Sequence, residues 1–108
     1  MQKTQHILAA ATLRAAAALT VSRFVSFAGT HAADAPCAGV ANATYAAGDD
    51  AGVNTHGRLL VETGGAIAQG AHVKSDATGR AVTADAATSE GRAFEAATAA
   101  GQFITIQR

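Results

Sequence analysis

Gln102-Phe103-Ile104-Thr105-Ile106-Gln107 decides the fold class. In an extended chain Ile104 and Ile106 fall on one face, and Phe103, Thr105 and Gln107 fall on the other. Upstream, His72-Val73-Lys74 and Arg80-Ala81-Val82-Thr83 flank Ser75-Asp76-Ala77-Thr78-Gly79, with Asp and Gly where a hairpin turn needs them. Val53 to Thr55 and Arg58 to Glu62 flank Gly57, which reads as a tight hairpin turn. Cys37 to Ala41 follows Pro36, the one proline of the chain. Arg23-Phe24-Val25-Ser26-Phe27 mixes aromatic and β-branched residues and stops at Gly29. Short strands with turn signals about every ten residues predict an all-β domain, a small barrel or sandwich of antiparallel strands.

A weak internal repeat supports the same architecture. Gly39-Val40-Ala41 precedes Tyr45-Ala46-Ala47-Gly48-Asp49, and Gly91-Arg92-Ala93-Phe94 precedes Thr98-Ala99-Ala100-Gly101-Gln102. Ile67-Ala68-Gln69-Gly70-Ala71 is a third echo. Each unit reads as a strand, a small-residue turn closed by glycine, and another strand. Two alanine-rich segments fit the strand pattern less well. Leu8 to Leu19 has high helix propensity but no clean amphipathic stripe, so it reads as a helix or as an extended arm. Ala93 to Ala100, bracketed by Gly91 and Gly101, has room for two helical turns at most. Residues 1–20 therefore divide off as an N-terminal arm, and residues 21–108 as a β-rich core domain.

Composition bounds the function. The chain has 108 residues, 8 basic and 8 acidic, so it has no net charge to draw nucleic acid or an anionic membrane. Charged residues are 15%, against about 25% in ordinary soluble domains, and thirty positions are alanine. Bulky core residues are few, and there is no tryptophan. The single cysteine, Cys37, rules out an internal disulfide. A thin core without staples or metal is completed by oligomerisation.

No constellation for chemistry emerges. His6, His31, His56 and His72 lack metal-ligand spacing, and Cys37 reads as a buried small apolar residue. Asp49-Asp50 follows Gly48 as a solvated turn, without the spacing or closing glutamate of a calcium loop. There is no phosphate-binding glycine motif and no nucleophile elbow. The expectation is a non-enzyme with no catalytic, cofactor or metal residues. The N-terminus loosely mimics a secretory signal, with Lys3, an apolar run and Ala32-Ala33-Asp34-Ala35. Arg14 and Arg23 interrupt the run, and no stretch approaches a membrane span. An exported periplasmic or cell-surface β protein is the alternative reading, and without export the sequon Asn42-Ala43-Thr44 is a chance match.

From Ala18 to Ile106 the order of motifs resembles the capsid cement (decoration) proteins of tailed bacteriophages. The residues that carry the resemblance are Ala18-Leu19-Thr20, Arg23-Phe24-Val25, Gly39-Val40-Ala41, Ala47-Gly48, and above all Val61-Glu62-Thr63-Gly64-Gly65-Ala66-Ile67-Ala68-Gln69-Gly70. Gly79-Arg80-Ala81-Val82, Gly91-Arg92-Ala93-Phe94-Glu95-Ala96-Ala97 and Ile104-Thr105-Ile106 complete the series. The resemblance implies a homotrimer on the outer surface of the virion, at junctions between major capsid protein subunits, stabilising the mature capsid. It implies no direct contact with nucleic acid or membrane. Met1 to about Arg14 is then expected to lie along the capsid or a neighbouring subunit, with Gln5, Ile7, Leu8, Leu13 and Arg14 as contacts.

Overall fold

The computed structural model describes residues 5–33 and 36–108. Met1 to Thr4 of the expected arm, and Asp34 and Ala35 of the signal-like segment, lie outside the described residues. The chain forms eight strands: β1 (His6–Arg14), β2 (Phe24–Val25), β3 (Gly39–Ala41), β4 (Asp50–Glu62), β5 (His72–Ser75), β6 (Ala81–Thr83), β7 (Gly91–Ala93) and β8 (Phe103–Gln107). All strand pairs are antiparallel and run in the order β2-β3-β4-β8-β7-β5-β6, with β1 added on β4. The sheet curls into a nearly closed barrel. Its ends meet where Phe24 N–H donates to Gly79 O at 2.8 Å and Gly64 N–H donates to Ala81 O at 2.7 Å.

The strand expected at residues 102–107 is β8, with Ile104 and Ile106 buried and Phe103 and Gln107 exposed. Thr105, on the polar face, is buried as well, because its hydroxyl donates to Glu95 Oε2 at 2.6 Å. The hairpin at Ser75–Gly79 also forms, with Asp76 accepting from the N–H of Thr78 and Arg80. Two expectations need correction, and one open choice is settled. Gly57 is not a turn, since β4 runs unbroken through it. Leu8 to Leu19 takes the extended alternative as far as Arg14, because β4 offers a full ladder of backbone partners. Ala93 to Ala100 is not helical, because Ala97 pairs with Ile67 instead.

Strand β4 organises the molecule. Val53 pairs with both Ala11 and Ala41, and Arg58 pairs with both His6 and Gln107. A strand residue has one partner per edge, so β1 occupies one edge of β4 while β3 and β8 share the other. At Gly57 the φ of +124° is open only to glycine, and a Cβ there would strike the His6 carbonyl and the Leu8 amide. The ladder slips at this point: Ile7 faces Gly57, Ala9 faces His56, and Leu8 is the extra residue of a bulge.

The sequence repeat is real structure with a fourth member. Leu19 pairs with Tyr45 and Ile67 pairs with Ala97 in matching isolated bridges. The turns after them close at a positive φ on Gly48, Gly70 and Gly101, and on Ser22, the one described non-glycine residue with that conformation. A serine there hid the fourth unit from a search for glycine. A second matching pair of turns follows β2 and β5. Ser26 N–H donates to Thr30 O as Asp76 N–H does to Arg80 O, both at 2.8 Å. Gly29 N–H donates to Ser26 O at 3.1 Å, and Gly79 N–H to Asp76 O at 3.3 Å. Phe27 and Ala77 occupy equivalent positions at the two tips.

Two apolar clusters fill the barrel. The larger gathers Phe24, Val40, Leu59, Val61, Val73, Ile104 and Ile106 around the buried Cys37, and the smaller gathers Leu19, Val25 and Val53 with Leu13 and Tyr45 at its margin. One aromatic ring is fully buried, in keeping with the thin core expected from composition.

Candidate functional site

Strand β1 is the largest feature that the fold leaves unfinished. Eight of its nine residues are exposed, and its second edge pairs with no described strand. Natural edge strands carry lysine, proline or inward-pointing charge to block pairing with another chain. His6-Ile7-Leu8-Ala9-Ala10-Ala11-Thr12-Leu13-Arg14 has none of these residues before its last one, and the bulge at Leu8 is its one edge-blunting feature.

The five expected contact residues divide by environment. Gln5 Oε1 accepts the Leu60 N–H at 2.9 Å and so fastens the start of the strand to β4. Leu13 is half-buried against the smaller core cluster and fastens the end. Ile7 is 40% exposed and Leu8 74% exposed. Arg14 is exposed and takes part in no ion pair among the described residues.

Leu8 opens onto a cleft of about 530 Å³ that it lines with His6, Gly57, Arg58, Phe94, Gln107 and Arg108. The wall opposite is rigid. The Arg58 guanidinium lies 4.2 Å above the Phe94 ring centroid, and its nitrogens reach Thr105 Oγ1 at 2.9 Å and Glu95 Oε2 at 3.1 Å. Burial pushes the Glu95 carboxyl up, but hydrogen bonds from Thr105 and the nearby Arg58 cation outweigh it and hold the group below its ordinary range. Away from β1 the most exposed large apolar side chain among the described residues is Phe27, 72% exposed at the tip of its turn, ahead of Phe103 at 44% and Val21 at 40%. Neither Phe27 nor the Arg58–Phe94 pair was evident in the sequence. Phe27 reads there as the end of a strand, and the match of Ser26–Thr30 to Asp76–Arg80 is visible only as a shared glycine four residues into each turn.

The two halves of the barrel are joined by charge at Glu62, which binds Arg23 Nε at 3.1 Å and Arg80 Nε at 3.0 Å. Nearby, His31 Nε2 accepts the Thr20 N–H at 3.1 Å, a bond that needs the neutral ring. Burial lowers the His31 pKa, the Phe24 carbonyl opposes that shift, and the Arg23 cation adds to it. The unfolded chain therefore binds the His31 proton more tightly than the folded one. Stability is full above the unfolded value of 6.5 and declines as the pH falls from there through the lower folded value. Urea midpoints should fall between pH 6.5 and 5, and His31→Gln should flatten that slope. Asp76, Asp85 and Glu95 are held below their ordinary values, so their loss comes only at lower pH.

Among the described residues no group of three or more His, Cys, Asp or Glu side chains is placed to hold a metal ion, and no helix is long and apolar enough to cross a membrane. A small barrel with an open, nearly uncharged sheet edge and exposed apolar side chains is built to dock onto other proteins.

Comparison with known proteins gives that class its setting. The model of the phage cement protein family matches residues 2–108, and the chain belongs to that family. The fold is similar to a solved structure described as the head fiber gp8.5 N base in bacteriophage phi29, with a TM-score of 0.77, 26% identity and 92% of each chain covered. A search of curated proteins finds no match. The protein is a capsid-associated structural component of the phage virion, located on the capsid exterior. The resemblance drawn from ordered glycine and alanine motifs holds, and the exported-protein alternative gives way to it.

Proposed function

We propose that this chain is a non-enzymatic cement protein that binds the phage major capsid protein as a homotrimer and bridges junctions between capsid subunits. The observation that carries this reading is the open edge of β1. An extended segment of a capsid subunit adds to that edge as a further strand, with backbone hydrogen bonds supplying affinity. Ile7 and Arg14 make the side-chain contacts on the shell, while Gln5 and Leu13 hold β1 in place on its own barrel. Leu8 faces the cleft and has a separate role, taken up below. A trimer grips several subunits at once, so modest contacts at each strand add up through effective concentration.

Removing residues 1–9 tests the reading without disturbing Leu13 or the core. The truncated protein should keep a cooperative unfolding transition and lose at least tenfold in affinity for undecorated heads, measured by co-sedimentation. Unchanged attachment would take the first half of β1, Ile7 included, out of the mechanism.

A further inference from the structure

Phe27 and the cleft are a knob and a hole on the same chain. The knob has no folding role that the structure shows. Its twin turn, Asp76–Arg80, makes the same two backbone hydrogen bonds with Ala77 at the tip. The Ser26 and Thr30 hydroxyls, 2.9 Å apart, brace the Phe27 turn further, so the exposed ring is held on a stiff support. The hole is apolar at Leu8 and Phe94. Arg58 and Arg108 line it, but both are engaged within their own chain, by Glu95 and Glu90.

Electrostatics identify what fits. One face of the Arg58 guanidinium rests on Phe94, yet 43% of the Arg58 side chain remains exposed. A cation with an open face attracts the negative face of a second aromatic ring. Phe27, 72% exposed, is the most open ring that this chain supplies, ahead of Phe103 at 44%. It cannot reach its own cleft. Its turn packs at the far end of β1, where Ala16 N–H donates to Gly29 O at 2.9 Å, whereas Leu8 stands near the start. About 20 Å of extended strand separates the two ends.

We propose that Phe27 of one copy inserts into the cleft of a neighbouring copy, between Leu8 and the open face of Arg58, so that subunits join head to tail. A contact between two different patches of identical chains closes into a ring when the rotation allows, and three copies complete it. This inference rests on the self-association proposed above and names the contact that produces it.

Sedimentation velocity on the full chain tests the contact, with head binding measured separately. Phe27→Ala should weaken self-association by about 30-fold, the factor expected of a buried aromatic anchor, while at concentrations too low for association it melts at the wild-type temperature. Leu8→Glu should weaken it comparably, and the double variant should be little worse than either alone. Ala77→Phe, on the twin turn, should leave association as it is. A monomeric wild-type chain, intact assembly in either single variant, or fully additive losses would overturn the proposal. Intact assembly of Phe27→Ala with lost head binding would assign the ring to the shell and also overturn it. Association that depends on Phe27 in a protein that ignores heads would uphold this contact and sink the cement reading.

Discussion

Gly57→Ala is expected to lower stability by about 3 kcal/mol and to loosen β1 from the barrel. Two costs combine. A non-glycine residue at φ +124° carries backbone strain of about 1–3 kcal/mol. The new Cβ also strikes the His6 carbonyl and the Leu8 amide, which belong to backbone and cannot swing aside as a flexible side chain would. Relief requires β1 to move off β4 at the bulge. On its other side Gly57 exchanges both backbone hydrogen bonds with Arg108, at 3.0 and 3.2 Å, so β4 itself is pinned. Urea unfolding should show the lower midpoint, and amide exchange should speed up in His6–Arg14 before it does in β8. Gly65→Ala is the control, since a Cβ there meets nothing within 4 Å. A Gly57→Ala midpoint matching that of the control would contradict the bulge geometry.

Glu90→Ala is expected to cost a similar amount, about 3 kcal/mol, by breaking a buried ion pair. The Glu90 carboxylate accepts the Cys37 N–H at 2.9 Å and the Arg108 guanidinium at 3.0 Å, and Arg108 also donates to the Cys37 carbonyl at 2.8 Å. The side chains are 7% and 17% exposed, so little water remains to take over. Removing the carboxylate strands a cation and a backbone N–H in the interior. Pairing it with Arg108→Ala removes the stranded charge, so the double variant should lose less than the sum of the single losses. Additive losses measured by urea unfolding would show that the two side chains act independently.

What could be read in the sequence follows the range of the physical signal. Alternation in Phe103–Gln107 and the Asp76–Gly79 turn are local, and both were legible. The run of β4 through Gly57 was not, because a glycine at a bulge and a glycine in a hairpin look alike until the partner strand is known. The same holds for β1. Its alanines favour a helix, and only the ladder along β4, 36 to 52 residues away, decides for strand. The expected arm residues show a related limit. Sequence marks Gln5, Ile7, Leu8, Leu13 and Arg14 as one group, whereas the fold turns Leu13 toward the core, ties the exposed Gln5 to the Leu60 amide and leaves the other three open. Family membership was legible for a different reason: it lay in the order of many weak motifs along the whole chain.

On the proposed reading, a barrel with an open sheet edge at β1 is completed by the phage head and in turn stabilises it. A ligand that binds only the mature lattice raises its stability by mass action. The direct measurement adds purified protein to undecorated mature heads and follows bound copies per capsomer alongside the head melting temperature. Saturable binding with a melting temperature that rises with occupancy is the expected result. Heads that bind no protein, or that bind it to saturation and melt as before, would contradict the claim.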